Sequence, residues 1–289
     1  MKSEPSLLVL GSTGFLGREV SRQCAAHGVS VVKTARQGAD YLLRFDASKP
    51  EEWRDVQRIA LSAHVTAIID LIAPTVNPST RGSTMPKSLE TYGDRLVELS
   101  SRTKAKIVHA GTDLEPLKDD SYTSFKRRVE ESLARFEVDL SAVKFPRLLG
   151  SELSGDFFAM KAVDSVVRNN NFELIEPHAE RKFLSVRIAA QVLLANAFWN
   201  LDDQRCGLDN FTMTLSNQDF VNMVETIVRG GTCRKTKDGH RDFYKKLAVR
   251  WKSVLTSRTS VADEYGLIEA VSVEDEVYAM IERVAPCGL

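Results

Sequence analysis

The chain has 289 residues, of which 43% are hydrophobic and 27% are charged, and its formal net charge is zero. This length suits one large α/β domain or a nucleotide-binding domain with a smaller lobe. The balanced charge argues against nucleic acid or an anionic membrane as the main partner, and no apolar stretch approaches the roughly 20 residues that span a bilayer. The four cysteines lie far apart and the histidines show no ligand spacing, so we expect reduced thiols in a cytoplasmic protein and no metal.

The first half of the chain alternates between strand and helix patterns. Apolar or β-branched runs predict strands over residues 7–10, 29–34, 41–45, 65–73, 105–110 and 140–145. Amphipathic spacing between them predicts helices over residues 14–26, 50–63, 86–103 and 121–136. Repeated strand–helix units predict an α/β fold, a Rossmann-type doubly wound parallel sheet with helices on both faces.

The pattern changes after Pro146, where amphipathic helices over 155–169 and 218–229 are separated by polar loops. We therefore predict a dinucleotide-binding domain over residues 1–150, to which residues 188–214 return. Residues 151–187 and 215–289 would then form a smaller C-terminal, substrate-binding lobe.

A glycine-rich turn follows the first strand directly and opens the first helix. Such a turn aims backbone N–H groups and the helix dipole at a pyrophosphate, and glycine is needed where a Cβ would block the phosphates. The spacing is GxxGxxG, and its position behind a four-residue apolar strand favours a dinucleotide site. The predicted cofactor-binding residues of this turn are Gly11, Thr13, Gly14, Phe15, Leu16 and Gly17.

The end of the second predicted strand indicates which dinucleotide binds. An acidic residue there would bind the ribose 2′-hydroxyl of NAD, but this chain has Arg36, which could pair with a 2′-phosphate. We therefore favour NADP(H) over NAD(H), although Arg36 could also be a solvated loop arginine. Asp46, at the end of the third strand, could accept a hydrogen bond from the adenine amino group or could cap the next turn.

Tyr122 and Lys126 are spaced i, i+4 and therefore share one face of a predicted helix. A phenol with a pKa of about 10 is a poor proton donor at neutral pH. An ammonium about 4 Å away would stabilise its phenolate form by about 4 kcal/mol at an effective dielectric constant of about 20, and would thereby lower that pKa. Thr112 ends the fifth strand, at the sheet edge where ligands bind, and could polarise a substrate carbonyl or merely close a turn. We predict Thr112, Tyr122 and Lys126 as the catalytic residues, with Lys126 also holding the cofactor.

Several segments together resemble the extended short-chain dehydrogenase/reductases, the superfamily of nucleotide-sugar epimerases, dehydratases and reductases. They are the glycine turn, Thr112-Asp113, the YxxxK motif, and the segments at 145–150 and 181–186. The resemblance implies that Ala73 contacts the cofactor and that Asp113 and Arg181 contact a nucleotide-sugar substrate, Arg181 at its diphosphate. Arg181 could otherwise be a surface arginine beside a strand.

Three departures from the family's sequence pattern narrow the activity that the resemblance implies. Thr112-Asp113 is followed by Leu114 where the 4,6-dehydratases carry glutamate, and only a short loop separates Thr112 from Tyr122. The missing glutamate argues against dehydration, and the short loop resembles that of the paratose/abequose-type 4-ketoreductases. The Thr-Asp pair and the Arg181 region are similar to those of dTDP-4-dehydrorhamnose reductase. The third departure concerns the sugar pocket, where Arg187 replaces a common acid and Ile72-Ala73-Pro74 replaces Asn-Ala-Ala.

These features predict an NADPH-dependent oxidoreductase of deoxysugar biosynthesis, which reduces the 4-keto group of a nucleoside-diphosphate-4-keto-6-deoxy sugar. A nucleotide-sugar 4-epimerase would use the same three residues and retain its cofactor. A non-catalytic NADP-binding redox sensor is the alternative from another class. The resemblance further implies a homodimer through the helices over 86–103 and 121–136, whose apolar stripes could equally be internal core.

Overall fold

A six-stranded parallel sheet forms the centre of the first half of the chain. The computed structural model describes residues 6–37, 42–74, 89–113, 121–198, 208, 212–229 and 272–285. The strand order is β3-β2-β1-β4-β5-β6, and every neighbouring pair is parallel. The strands are β1 (Ser6–Leu10), β2 (Ser30–Ala35), β3 (Leu43–Arg44), β4 (Val65–Asp70), β5 (Lys106–Thr112) and β6 (Leu140–Phe145). This sheet confirms the predicted α/β, Rossmann-type class.

Four helices connect the strands and flank the sheet. They are α1 (Phe15–Ala26), α2 (Pro50–Ser62), α3 (Tyr92–Thr103) and α4 (Ser121–Ala134). Strands β1 and β5 are buried at every residue, as expected of strands covered on both faces. Helix α2 begins with a proline at its first turn and two glutamates beside it, which suit the positive end of the helix dipole.

Two predicted boundaries in the first half of the chain are wrong by several residues. Strand β4 ends at Asp70 rather than at residue 73, because the Asp70 carboxylate accepts the Ile72 N–H at 3.1 Å and turns the chain out of the strand. Helix α3 begins at Tyr92 rather than at residue 86. Residues 89–91 precede it as a short turn, and residues 86–88 lie outside the described residues.

The core beneath β1, β4 and β5 contains a continuous row of aromatic rings. The Trp53 ring lies 4.9 Å from Phe45 and 5.4 Å from Tyr92, between ring centroids. Tyr92 lies 5.4 Å from Phe125, and Phe125 immediately precedes Lys126 on α4. Because all four rings are at least nine-tenths buried, the row fixes α2, α3 and α4 against one another.

The described part of the later chain contains a three-stranded sheet and four helices. The strands are β7 (Arg147–Leu149), β8 (Glu180–Ser185) and β9 (Met213–Ser216), with β7 parallel and β9 antiparallel to the central β8. The helices are α5 (Phe158–Arg168), α6 (Val186–Phe198), α7 (Asn217–Val228) and α8 (Val273–Val284). Phe220 of α7 packs against Phe158 of α5 and Phe183 of β8, which joins helices to sheet.

The chain divides into two compact units. One contains Met1–Pro146 with Ala189–Cys206, and the other contains Arg147–Ile188 with Gly207–Leu289. The predicted assignment of 151–187 and 215–289 to a substrate-binding lobe stays a prediction. Within the described residues, no helix combines the length and apolar character needed to cross a bilayer. Cys24 is a buried thiol, and the other three cysteines lie outside the described residues.

Candidate active site

The glycine turn between β1 and α1 has a shape that requires glycine. Gly11 adopts a φ of +83°, which side-chain-bearing residues rarely adopt, and its carbonyl accepts the Gly14 N–H at 3.1 Å. A Cβ built on Gly17 would lie 2.2 Å from the Gly11 carbonyl oxygen and 2.8 Å from the Ser12 Cα. Backbone cannot move aside as a flexible side chain can, so Gly17 must stay glycine for this turn to form.

Thr34, at the end of β2, anchors the turn. Its hydroxyl accepts the Gly11 N–H at 3.2 Å and donates to the Val9 carbonyl at 3.1 Å. Its carbonyl accepts the Ser12 N–H at 3.1 Å and the Ser12 hydroxyl at 2.8 Å. Sequence reasoning missed this residue, although a threonine that ends a β-branched strand beside the glycine turn was a signal for it.

The N-terminus of α1 presents the features that a pyrophosphate needs. Gly14 is the N-cap and makes no side-chain capping hydrogen bond, and the first turn contains no acidic residue. Thr13 and Gly14 are exposed, Phe15 and Leu16 are half-buried, and Arg18 donates to the Thr13 carbonyl at 3.0 Å. A helix N-terminus of this kind attracts anions through its backbone N–H groups and its dipole. These residues therefore fit the diphosphate of a dinucleotide.

Arg36 and Asp46 lie beside each other at the ends of β2 and β3. The Asp46 carboxylate accepts the Ser48 N–H at 3.0 Å and the Ser48 hydroxyl at 2.7 Å, in a turn that leads into α2. These hydrogen bonds, together with the charges of Arg36 and Lys49, lower the pKa of Asp46. The hydrogen bonds that cap this turn thus use one carboxylate oxygen of Asp46. The Arg36 side chain is exposed to solvent. Their cofactor contacts stay predictions.

A fully buried carboxylate, Asp70, ends β4. Its Oδ1 accepts hydrogen bonds from the Tyr92 hydroxyl at 2.5 Å and the Ile72 N–H at 3.1 Å, and its Oδ2 lies 2.7 Å from the His109 Nδ1. Burial alone would raise the pKa of Asp70, but His109, the charge of Lys126 and the Tyr92 hydroxyl together hold it below its usual value. Sequence reasoning did not single out Asp70 or His109, although each is a polar residue inside an apolar strand.

Lys126 reaches the same place from α4. Its side chain is almost fully buried, and its Nζ donates to the Ile72 carbonyl at 2.9 Å. Burial lowers the pKa of Lys126 below its ordinary value, and the negative charges of Asp70 and Glu130 offset part of that lowering. Ala73, predicted to contact the cofactor, directly follows Ile72 and is half-buried. The structure thus places Lys126 in contact with the turn after β4, which carries Ala73.

The other two predicted catalytic residues lie at the end of β5 and in the first turn of α4. Thr112 ends β5 and is 3% exposed, and the N–H of Asp113 donates to the Phe145 carbonyl at 3.1 Å. Tyr122 is half-buried in the first turn of α4, one helical turn before Lys126. Because β1, β4 and β5 are adjacent and parallel, the glycine turn, Asp70 and Thr112 share the carboxyl edge of the sheet, where ligands bind in this type of fold.

Arg181, the predicted substrate-binding arginine, belongs to the second unit. It lies on β8, where its Nη2 pairs with the Glu176 carboxylate at 2.7 Å and its Nη1 donates to the Glu180 carbonyl at 3.2 Å. The nearby Arg187, which replaces a common acid, pairs through its Nε with the buried Glu276 at 3.0 Å. The contact of Arg181 with a substrate diphosphate stays a prediction.

The comparisons with known proteins agree with this geometry. Residues 7–129 match the NAD dependent epimerase/dehydratase family. This match spans the glycine turn and the Tyr122–Lys126 pair, and it confirms the predicted family resemblance. No curated protein matches the chain.

Solved structures extend the likeness beyond that segment. UDP-N-acetylglucosamine 4-epimerase from Bacillus cereus aligns with a TM-score of 0.62 at 17% identity, over 97% of this chain and 95% of that protein. The dTDP-glucose 4,6-dehydratase from Bacillus anthracis, in complex with NAD, aligns with a TM-score of 0.67 at 11% identity, over 96% of each chain. MoeE5 in complex with UDP-glucose and NAD aligns with a TM-score of 0.64 at 17% identity, over 96% of this chain and 98% of MoeE5. At such identities the likeness establishes the fold.

Proposed function

We propose that this protein uses NADPH to reduce the 4-keto group of a nucleoside-diphosphate-4-keto-6-deoxy sugar. The observation that carries the proposal is the position of Lys126, whose Nζ contacts the turn after β4 and lies one helical turn from Tyr122. The glycine turn follows β1, the neighbouring strand. A nicotinamide cofactor is supported by the family match, and a nucleotide sugar by the similar structure of MoeE5, a complex with UDP-glucose and NAD.

The proposed roles follow from the chemistry of each side chain. Bound NADPH would supply the hydride that passes to the carbonyl carbon. Tyr122 donates its phenolic proton to the carbonyl oxygen, so that the ketone becomes an alcohol. Lys126 stabilises the phenolate that Tyr122 becomes and holds the nicotinamide ribose. Thr112 donates a hydrogen bond to the same carbonyl oxygen, and that bond strengthens as negative charge develops there. Arg181 contacts the substrate diphosphate, and Asp113 contacts the substrate.

The decisive experiment follows the loss of NADPH absorbance with a panel of nucleoside-diphosphate-4-keto sugars. Rapid loss with one substrate is the expected result, and it identifies the nucleotide. Tyr122→Phe should then lower turnover by about 10²- to 10⁴-fold, because the proton donor is lost, while cofactor affinity is retained. Tyr278→Phe, on the C-terminal helix α8, is the matched control and should leave turnover unchanged.

The cofactor preference rests on Arg36. The end of β2 carries Lys33, Thr34 and Ala35 before Arg36, with no carboxylate, whereas two of the similar structures are complexes with NAD. We expect Arg36→Ala to weaken NADPH binding by about tenfold to a hundredfold, the value of a charge-assisted hydrogen bond, with little effect on NADH. Arg58→Ala, an exposed arginine on α2, provides the control. Equal losses for both cofactors would remove the argument for NADP.

A 4-epimerase is the second candidate, because the matching family and one similar structure are named for that activity. Cofactor that remains bound through purification, with no net NADPH loss during turnover, would favour it. A redox sensor would bind NADPH and be unaffected by Tyr122→Phe. The homodimer and the cytoplasmic location stay predictions, and light scattering of the purified chain tests the first.

A further inference from the structure

Lys126 is a buried cation, so the groups around it decide whether it keeps its charge. A lysine removed from water tends to lose its proton, and a nearby carboxylate opposes that tendency. Among the described residues, Asp70 of β4 and Glu130 of α4 are the carboxylates whose charges act on Lys126. His109 of β5 and Tyr92 of α3 act on Asp70 rather than on Lys126.

Asp70 and Lys126 are also joined through one residue of backbone. The Asp70 Oδ1 accepts the Ile72 N–H at 3.1 Å, and the Ile72 carbonyl accepts the Lys126 Nζ at 2.9 Å. The carboxylate therefore sets the conformation of the turn that presents an acceptor to the ammonium. One side chain provides both the compensating charge and the direction of the Nζ.

The two other partners of Asp70 keep it in place as an anion. The Tyr92 hydroxyl donates to one oxygen, and the fully buried His109 faces the other with its Nδ1. The His109 Nε2 has no hydrogen-bond partner within the described part of the chain. An imidazole that carries a proton on Nδ1 donates it to the Asp70 Oδ2 in this arrangement.

We propose that Asp70 is a positioning residue for Lys126: its buried carboxylate keeps Lys126 in the ammonium form and, through the Ile72 backbone, aims that ammonium. Tyr92 and His109 hold the carboxylate. The consequence for the reaction rests on the proposed function, since it needs Tyr122 as the proton donor. The effect of the Asp70 charge on the protonation of Lys126 does not depend on the proposed function.

The first test measures the protonation of Lys126 directly, by NMR of the full chain labelled with ¹³Cε-lysine. The Lys126 signal is assigned through its loss in Lys126→Arg. Wild-type Lys126 should be an ammonium at neutral pH. In Asp70→Asn its titration midpoint should fall by about 1 pH unit or more, because the compensating charge is gone. An unchanged midpoint in folded Asp70→Asn, or a neutral Lys126 in the wild type, overturns the proposal.

Two control variants separate charge from packing. Tyr92→Phe removes a hydrogen bond to Asp70 but keeps its charge, so the Lys126 midpoint should not move. Glu130→Gln should move it less than Asp70→Asn, because the Lys144 Nζ lies 3.1 Å from the Glu130 Oε2 and offsets that charge. A shift in Tyr92→Phe as large as in Asp70→Asn would mean that packing controls Lys126, against the proposal.

A reciprocal variant decides the matter if Asp70→Asn does not fold. Linkage requires that loss of the ammonium acts back on the carboxylate, so ¹³Cγ-aspartate NMR should show the Asp70 midpoint rising in Lys126→Met. An unchanged midpoint refutes the link. With an active substrate, the alkaline limb of kcat/KM against pH should move to lower pH in Asp70→Asn. If no substrate is reduced, the proposed function fails while the NMR result still decides the role of Asp70.

Discussion

Each unit of the molecule buries a carboxylate, and the two are compensated differently. Asp70, on β4 of the first unit, is fully buried, and its partners Tyr92, His109 and the Ile72 N–H are held by three separate elements. Glu276, on α8 of the second unit, is 2% exposed and accepts from the Ser185 hydroxyl at 2.6 Å. The cation beside Asp70 is buried with it, whereas the Arg187 side chain beside Glu276 is 35% exposed.

The difference indicates what each carboxylate does. An arginine that still reaches water can be solvated without its partner, so Glu276 chiefly fastens α8 to the end of β8. A lysine with almost no access to water depends on nearby negative charge, and burying opposite charges is seldom the most stable way to fill a core. The presence of Asp70 and Lys126, linked through the Ile72 backbone at the edge where ligands bind, favours a role in chemistry for Asp70 and a structural role for Glu276.

The largest expected effect compares the removal of each carboxylate. Asp70→Ala should lower the free energy of unfolding by about 3–5 kcal/mol, because it leaves a buried ammonium uncompensated and three donors unpaired. Glu276→Ala should lower it by about 1–3 kcal/mol, since Arg187 can turn to solvent. Urea unfolding followed by circular dichroism measures both. Equal losses of unfolding free energy in the two variants would contradict the proposed difference between the two carboxylates.

An intermediate effect is expected in acid. The pKa of Asp70 is lowered in the folded state, so its carboxylate stabilises the fold above its unfolded-state value of about 3.9, and that stabilisation is lost as the pH falls further. Asp70→Asn should therefore lose less stability than the wild type between neutral pH and about pH 3. Asp55→Asn, on the exposed side of α2, is the control. Parallel curves for wild type and Asp70→Asn would show that the ionisation of Asp70 does not matter.

The smallest effect concerns how the helix that carries Glu276 begins. The Ser272 hydroxyl accepts the Asp275 N–H at 3.1 Å, and the Asp275 carboxylate accepts the Ser272 N–H at 2.7 Å, which is a complete capping box. Ser272→Ala should lower the free energy of unfolding by about 1 kcal/mol. Ser216→Ala at the N-cap of α7 should have a similar effect. A larger loss at Ser272 would show that the cap also positions Glu276.

The sequence predicted the parallel sheet because its central strands, such as β1 and β5, are buried on both faces and therefore carry mostly apolar runs. It predicted the glycine turn because the requirement at Gly17 comes from local backbone. It did not predict the surroundings of Lys126. Asp70, Tyr92 and His109 are far apart in the chain, and only the pairing of β4 with β5 and the packing of α3 bring them together.

Helix and strand ends were predicted less well where side chains override the apolar pattern. The run over 65–73 is apolar enough to suggest a longer strand, but the bond from the Ile72 N–H to Asp70 ends β4 three residues earlier. Arg187 was also difficult to interpret from the sequence. It was a departure from the family pattern at the sugar pocket, and its partner in the structure, Glu276, lies 89 residues away in the chain.

The row of aromatic rings has an optical consequence. The Trp53 indole is 7% exposed, donates from Nε1 to the Ala47 carbonyl at 3.0 Å, and lies 5.4 Å from the Tyr92 ring. Excitation absorbed by a phenol passes to an indole at such a separation, and the phenol of Tyr92 is the one bound to Asp70. With Trp199 and Trp251 replaced, we therefore expect the emission of Trp53 to change when the bond from Tyr92 to the buried Asp70 is lost.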